Sequence, residues 1–206
     1  MDKLTYLIIL KHLNIKDADY FSERIDEAVK FYNITNKENI LFFIANIIHE
    51  SFNLTKFKEN LYYTTEINLK KAYKSIFINM GDKYKAQDYL RNPEKLASIV
   101  YDDRIVNKNL GNLRDGYAEK FIGRGAIQVT GFYNYKKISD YTKINFVDNP
   151  KLLEDKKYAI LGSMTFWYFN NIHNVKTLKD SRKKVAGSLF GLDKVEEIYK
   201  KIKEVV

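Results

Sequence analysis

A mainly α-helical fold, with at most a small β element, is what this sequence predicts, and three observations carry that reading. Apolar residues recur at helical spacing in several separate stretches. Two prolines and nine glycines in 206 residues leave too little turn-forming material for a β sandwich. A 45% share of hydrophobic residues fills one core, and no repeat, low-complexity tract or Pro/Gly/Ser-rich linker divides the chain. A single domain over residues 1–206 is therefore expected.

Taken in order, residues 2–32 carry Phe21, Ile25, Ala28, Val29 and Tyr32 at helical spacings and read as two helices broken near Asn14. Thr35 and Glu38 have capping-box spacing ahead of Ile40, Phe43, Ile44, Ile47 and Ile48, which predicts one buried helix. At ~100° per residue, Glu50 lies about a right angle from the centre of this apolar stripe. It also falls in the last turn, where the helix dipole disfavours a carboxylate. Residues 52–63 read as irregular, and a helix is expected over 66–73. Asn92-Pro93-Glu94 starts another, reaching Tyr101, because proline suits the first helical position. Residues 102–120, with glycine and asparagine clusters and little periodicity, read as a long functional loop. Residues 121–130 read as a short extended segment, since Ile122, Ile127 and Val129 are β-branched and glycines alternate among them. Helices over 158–169 and 194–205 close the chain.

The formal charge of +9 fits a polyanionic partner, and it fits equally a general bias of the chain toward Lys, Asn, Ile and Tyr. No run of five basic residues occurs, so nucleic-acid binding is not supported. The absence of cysteine excludes disulfides, thiolate metal sites and thiol nucleophiles. Leu4 to Leu10 is apolar, but Lys11 and His12 follow it without a small-residue cleavage site, so no signal peptide is read. No segment is long and apolar enough to predict a membrane span.

Several local patterns suggest chemistry and must be weighed. His49-Glu50-Ser51 has the opening of a zinc-protease motif, yet Asn53 stands where the second histidine belongs, so no metal is expected. His49 then reads as an orienting or structural residue. Gly123-Arg124-Gly125 lacks the third glycine of a dinucleotide loop, which is Gln128 here. Trp167, in the run from Met164 to Phe169, reads as a core residue. Glu50 and Glu59 form a candidate acid and base pair, since an inverting glycosidase needs carboxyls about 6.5–9.5 Å apart. Alone the pair says little, because 26 acidic residues guarantee many such spacings.

Read together, the segments resemble the family 19 glycoside hydrolases, and more closely their bacterial and phage endolysin branch. The matching stretches run from Ile44 to Ser51, from Glu59 to Tyr63, and from Arg91 to Glu94 with Tyr101 and Arg104. They continue from Gly123 to Gly131 with Asn134-Tyr135, then Asn149-Pro150 and the Phe166-Trp167 helix, in the family's order. The resemblance implies a lysozyme-like helical domain with a central cleft. It implies Glu50 as general acid, Glu59 as the carboxylate that activates water, and Thr130 as a hydroxyl holding that water. His49, Tyr62, Tyr101, Arg104, Gln128 and Asn134 are implied to line the sugar site, while Gly123 and Gly125 serve close backbone approach.

Three features depart from the family's pattern. Ile105-Val106-Asn107 stands where a glycine usually precedes the asparagine. Ala186-Gly187-Ser188 replaces an Asn-Gly pair. The longer insertion that carries the second acid of plant-type chitinases is absent. The function expected is hydrolysis of β-1,4 bonds in peptidoglycan with inversion, by a monomer without cofactor, metal or separate wall-binding domain. Chitin hydrolysis and a catalytically inactive sugar-binding relative are the alternatives. Synthesis in the cytoplasm, with release to the periplasm or wall by a holin or secretion system, is the expected route. Whether an immunity or export partner exists is not written in the sequence.

Overall fold

The computed structural model describes residues 1–206 apart from the side chain of Asp82. It is mainly helical, as expected. The helices in chain order are α1 (Lys3–His12), α2 (Ala18–Phe31), α3 (Lys37–Glu50), α4 (Glu66–Ala72), the single-turn α5 (Lys74–Phe77) and α6 (Pro93–Val100). After α7 (Asp103–Val106) and α8 (Tyr117–Lys120) come α9 (Phe132–Thr142), α10 (Lys156–Phe169), α11 (Leu178–Ala186) and α12 (Leu192–Lys203). The break between α1 and α2 falls at Asn14 and Asp17, both in the left-handed region at φ 54° and 58°.

Helix α3 is the axis of the molecule, and it differs from its prediction in two respects. Its cap is Asn36, whose side chain accepts from the Asn39 backbone N–H, so the start lies one residue beyond the Thr35 box. All ten residues from Asn39 to Ile48 are buried, so α3 has no solvent face over that span. Glu50 reaches the surface because α3 emerges from the core at its C-terminal end, not because of its angle on an amphipathic wheel. Helices α10, α11 and α12 pack around α3, and α1 and α2 pair beside them. Trp167 on α10 is fully buried, edge-on to Phe43, and donates its indole N–H to Asn39 Oδ1 at 2.8 Å.

Apolar burial is divided between two clusters. The larger is built from α1, α2, α3, α9, α10 and α12 and includes Phe43, Phe57, Phe121, Tyr135 and Trp167. The smaller joins Leu61, Leu69, Ile76, Leu96, Val100 and Ile122, mostly from α4 to α6. Two chain segments cross between them, since Phe57 and Phe121 lie in the larger and Leu61 and Ile122 in the smaller.

These crossing segments meet in the small β element. Lys58 and Arg124 form an antiparallel bridge, as do Arg124 and Val129. The Glu59 N–H donates to the Gly123 carbonyl at 3.0 Å, and the Gly125 N–H to the Phe57 carbonyl at 2.9 Å. The stretch 121–130 is thus a tight, bridged turn and not a strand. The expected loop 102–120 contains the single-turn helices α7 and α8, and α9 and α11 arise where the sequence predicted none.

Candidate active site

The C-terminal end of α3 presents Glu50 to a cavity of about 510 Å³, together with His49, Phe52, Asn53, Arg182 and Phe190. Arg182 is 2% exposed and Glu50 20%, and the guanidinium Nη1 donates to the Glu50 carboxylate. The same guanidinium donates from Nε to the Phe190 carbonyl at 2.7 Å, which ties the turn after α11 to the glutamate. One turn back along α3, Asn46 donates to Ser181 Oγ at 3.1 Å. Two successive polar links therefore hold α11 against α3. Arg182 supplies the positive charge that the C-terminus of α3, with its dipole, lacks.

Sequence reasoning missed Arg182 because it opens the densest basic stretch, Arg182 to Lys184, flanked by Asp180. The available signal was its place at helical spacing between Leu178, which is buried, and Val185, which is half-buried. An arginine on an apolar stripe needs a buried anion.

His49 sits under the turn that enters α12. An ideal Cβ added at Gly191 (φ 74°) would lie 2.5 Å from His49 Nε2, so only glycine fits over the ring. Burial pushes the imidazole pKa downward, with Glu50 opposing the shift.

Between Glu50 and Glu59 the chain makes an unusual turn. Phe52, Asn53 and Leu54 are all left-handed, at φ 50°, 61° and 58°. Fully buried Ser51 holds this turn, donating from Oγ to the Ile47 carbonyl at 2.5 Å and accepting from the Leu54 N–H at 3.0 Å. Consecutive left-handed residues other than glycine are costly and persist only where their surroundings over-determine them. Here the anchors are Ser51 and the side chain of Leu54, 2% exposed.

Glu59 lies where the crossing segments bridge. The Tyr101 hydroxyl donates to Oε2 at 2.5 Å and the Gly123 N–H to Oε1. Burial pushes the Glu59 pKa upward, against the pull of these two hydrogen bonds and of the nearby Arg124 and Lys58. Gly123 is required by proximity, since a Cβ there would lie 3.0 Å from Gln128 Oε1 and 3.2 Å from Glu59 Oε1. Gly123, Gln128 and Glu59 are thereby brought together. Gln128 Oε1 is buried without a partner, while Nε2 donates to the Gly125 carbonyl at 3.1 Å. Glu59 and Tyr62 border a second cavity, of about 580 Å³, with Lys58, Glu94 and Glu119.

The remaining residues implied by resemblance are placed as follows. Thr130 Oγ1 donates to the Gln128 carbonyl at 3.0 Å, and Asn134 Nδ2 donates to the Thr130 carbonyl at 2.7 Å. Both are half-buried on the chain leaving the bridged turn. Arg104 is held by Asp102, at 2.9 Å from Nε and 2.5 Å from Nη2, and by Asp115 at 3.1 Å. Its guanidinium is engaged with the chain itself. Tyr62 is 52% exposed and presents its ring to solvent. Sequence reading also missed Tyr73, whose hydroxyl lies beside that of Tyr101, and Phe190, 82% exposed beside Glu50.

No family model matches the chain. A protein of Haemophilus influenzae described as a glycosyl hydrolase family 19 domain-containing protein is 25% identical over 178 residues, 86% of this chain and 85% of that protein. Chitinase C from Streptomyces griseus superposes with a TM-score of 0.58 at 18% identity, covering 96% of this chain and 89% of its own. Another bacterial family 19 chitinase superposes with a TM-score of 0.52 at 17% identity, covering 87% and 85%. Twelve α-helices and a bridged turn in place of a sheet among the described residues agree with these superpositions, and the chain has the mainly helical, lysozyme-like fold of the family 19 glycoside hydrolases.

Proposed function

We propose that this chain is a glycoside hydrolase that cleaves β-1,4 bonds of peptidoglycan with inversion, Glu50 protonating the leaving oxygen and Glu59 activating water. The observation that carries it is the pair of carboxyls held by different means. Glu50 is gripped by a guanidinium at a helix end, and Glu59 by a phenol and a backbone N–H in a buried turn. Unequal environments let two chemically identical groups take opposite proton roles. As general acid Glu50 has to act protonated, so the proposal requires its contact with Arg182 to open in the substrate complex. Thr130, beside the bridged turn, is suited to steady the attacking water, and Gln128, Asn134, Tyr62 and His49 to line the sugar site. Arg104 would join them only by leaving Asp102 and Asp115. Action at the wall, after release by a phage-type or dedicated export system, belongs to the same proposal.

The test is turbidity clearing of permeabilised Gram-negative cells and digestion of purified chitin by wild type, Glu50→Gln and Glu59→Gln, with mass spectrometry of the fragments. Glycan fragments from cell walls, lost in both variants, support the proposal. Activity on chitin alone makes the protein a chitinase, and inactivity on both substrates makes it a sugar-binding relative. A second reading exchanges the two roles, and the burial that pushes the Glu59 pKa upward favours it. An aryl glycoside with an activated leaving group separates the two, because only the variant lacking the acid keeps its activity on that substrate.

A further inference from the structure

Tyr101 stands 42 residues from Glu59 in sequence, yet its hydroxyl donates to Glu59 Oε2 at 2.5 Å. The phenol is half-buried, and its backbone carbonyl accepts from Asn112 Nδ2 at 3.0 Å, which fixes the end of α6. Behind it lies Tyr73, whose hydroxyl adjoins that of Tyr101 and whose ring meets Tyr63 edge-on at 6.0 Å between centroids. Of these phenols, Tyr101 is the one that hydrogen-bonds the carboxylate.

We propose that Tyr101 is a positioning residue for Glu59, holding its carboxylate in the ionised, water-facing orientation. This rests on the reading of Glu59 as base, and it replaces direct sugar contact as the role of Tyr101. Three physical points support it. Burial and the negative charge of Glu59 both raise the Tyr101 pKa, so the phenol keeps its proton and remains a donor throughout the working pH range. Gly123 binds the other carboxylate oxygen, so the two donors fix the carboxylate plane. The charged groups near Glu59 are Lys58 and Arg124, and Glu94, Glu119, Lys120 and Lys151 line its cavity. Arg124 is buried and engaged with Glu154 and Tyr135, and the exposed charges around the cavity make no hydrogen bond to Glu59, so the Tyr101 hydroxyl and the Gly123 N–H are the groups that orient it. Tyr135, fully buried beside Arg124, is committed to the Ile122 carbonyl at 2.7 Å.

The experiment is Tyr101→Phe in the full chain, read in two ways. The first is the pH titration of the Glu59 carboxyl carbon by NMR, assigned with Glu59→Gln. The second is the pH profile of kcat and KM. Removing a donor to the carboxylate destabilises the ionised form, so Tyr101→Phe should raise the Glu59 midpoint by roughly one to two pH units. The acid limb of kcat should rise in parallel with KM unchanged. An unmoved titration in folded Tyr101→Phe overturns the inference whatever the activity shows. If the titration moves but the alkaline limb shifts instead, the contact stands and Glu59 is the acid, so the failure lies with the base assignment. A raised KM with an unmoved titration returns Tyr101 to sugar binding.

Discussion

Replacing Arg182 with methionine keeps most of the side-chain volume and deletes the cation that grips Glu50. Arg182 is 2% exposed, so the substitution strands the Glu50 carboxylate in a partly dry setting. Breaking a buried pair by removing one member costs about 3–5 kcal/mol, and the 20% exposure of Glu50 places this case near the lower figure. For a chain of this size each kcal/mol moves the melting midpoint by about 2–4 °C, so a fall of roughly 6–12 °C is expected. Glu50→Gln alone strands Arg182 instead, which makes the pair a closed double-mutant cycle. Urea unfolding followed by far-UV circular dichroism on wild type, both single variants and the double variant measures the coupling. The double variant should cost less than the sum of the singles by more than about 1 kcal/mol. Additive costs, or a cost below about 1 kcal/mol for Arg182→Met, would refute the argument that α11 is held to α3 through this ion pair.

Three further outcomes are expected. Glu59 has its folded pKa raised, so its contribution to stability is fully present below the unfolded pKa and is lost as pH rises through the folded value. Glu59→Gln should therefore gain melting temperature relative to wild type on moving from pH 4 to pH 7, checked by calorimetry at both pH values. Ser51→Ala removes the acceptor of the buried Leu54 N–H and should destabilise by about 1–3 kcal/mol, read by urea titration. Phe190, 82% exposed beside Glu50, offers a bare ring face to a pyranose, so Phe190→Ala should raise KM several-fold with kcat and stability nearly unchanged.

Much of the fold was legible where local signals and tertiary packing agree. The helix carrying Glu50, the break at Asn14 and the Asn92-Pro93 start of α6 followed from spacing and capping chemistry. Helix α9 was not legible, because only Tyr135 and Ile138 of its eleven residues are buried and the rest mix aromatic with polar character. Helix α11 was hidden because one of its interior positions is an arginine. The partners of the carboxylates were the least legible of all. Tyr101 reaches Glu59 across 42 residues and Arg182 reaches Glu50 across 132, and neither pairing leaves a periodic trace in the chain. The motif resemblance pointed to the acidic residues, and the structure supplied what holds them.

Trp167, the chain's single tryptophan, is buried in the larger of the two apolar clusters, whereas the residues beneath Glu59 belong partly to the smaller one. Intrinsic fluorescence is consequently a one-sided witness. It reports the frame that carries Glu50 and is blind to loosening among α4, α5 and α6, where Tyr73 is anchored and whose end Tyr101 caps. A preparation can look intact by its emission maximum and already have lost the support of Glu59, so tyrosine-sensitive signals have to be read alongside it.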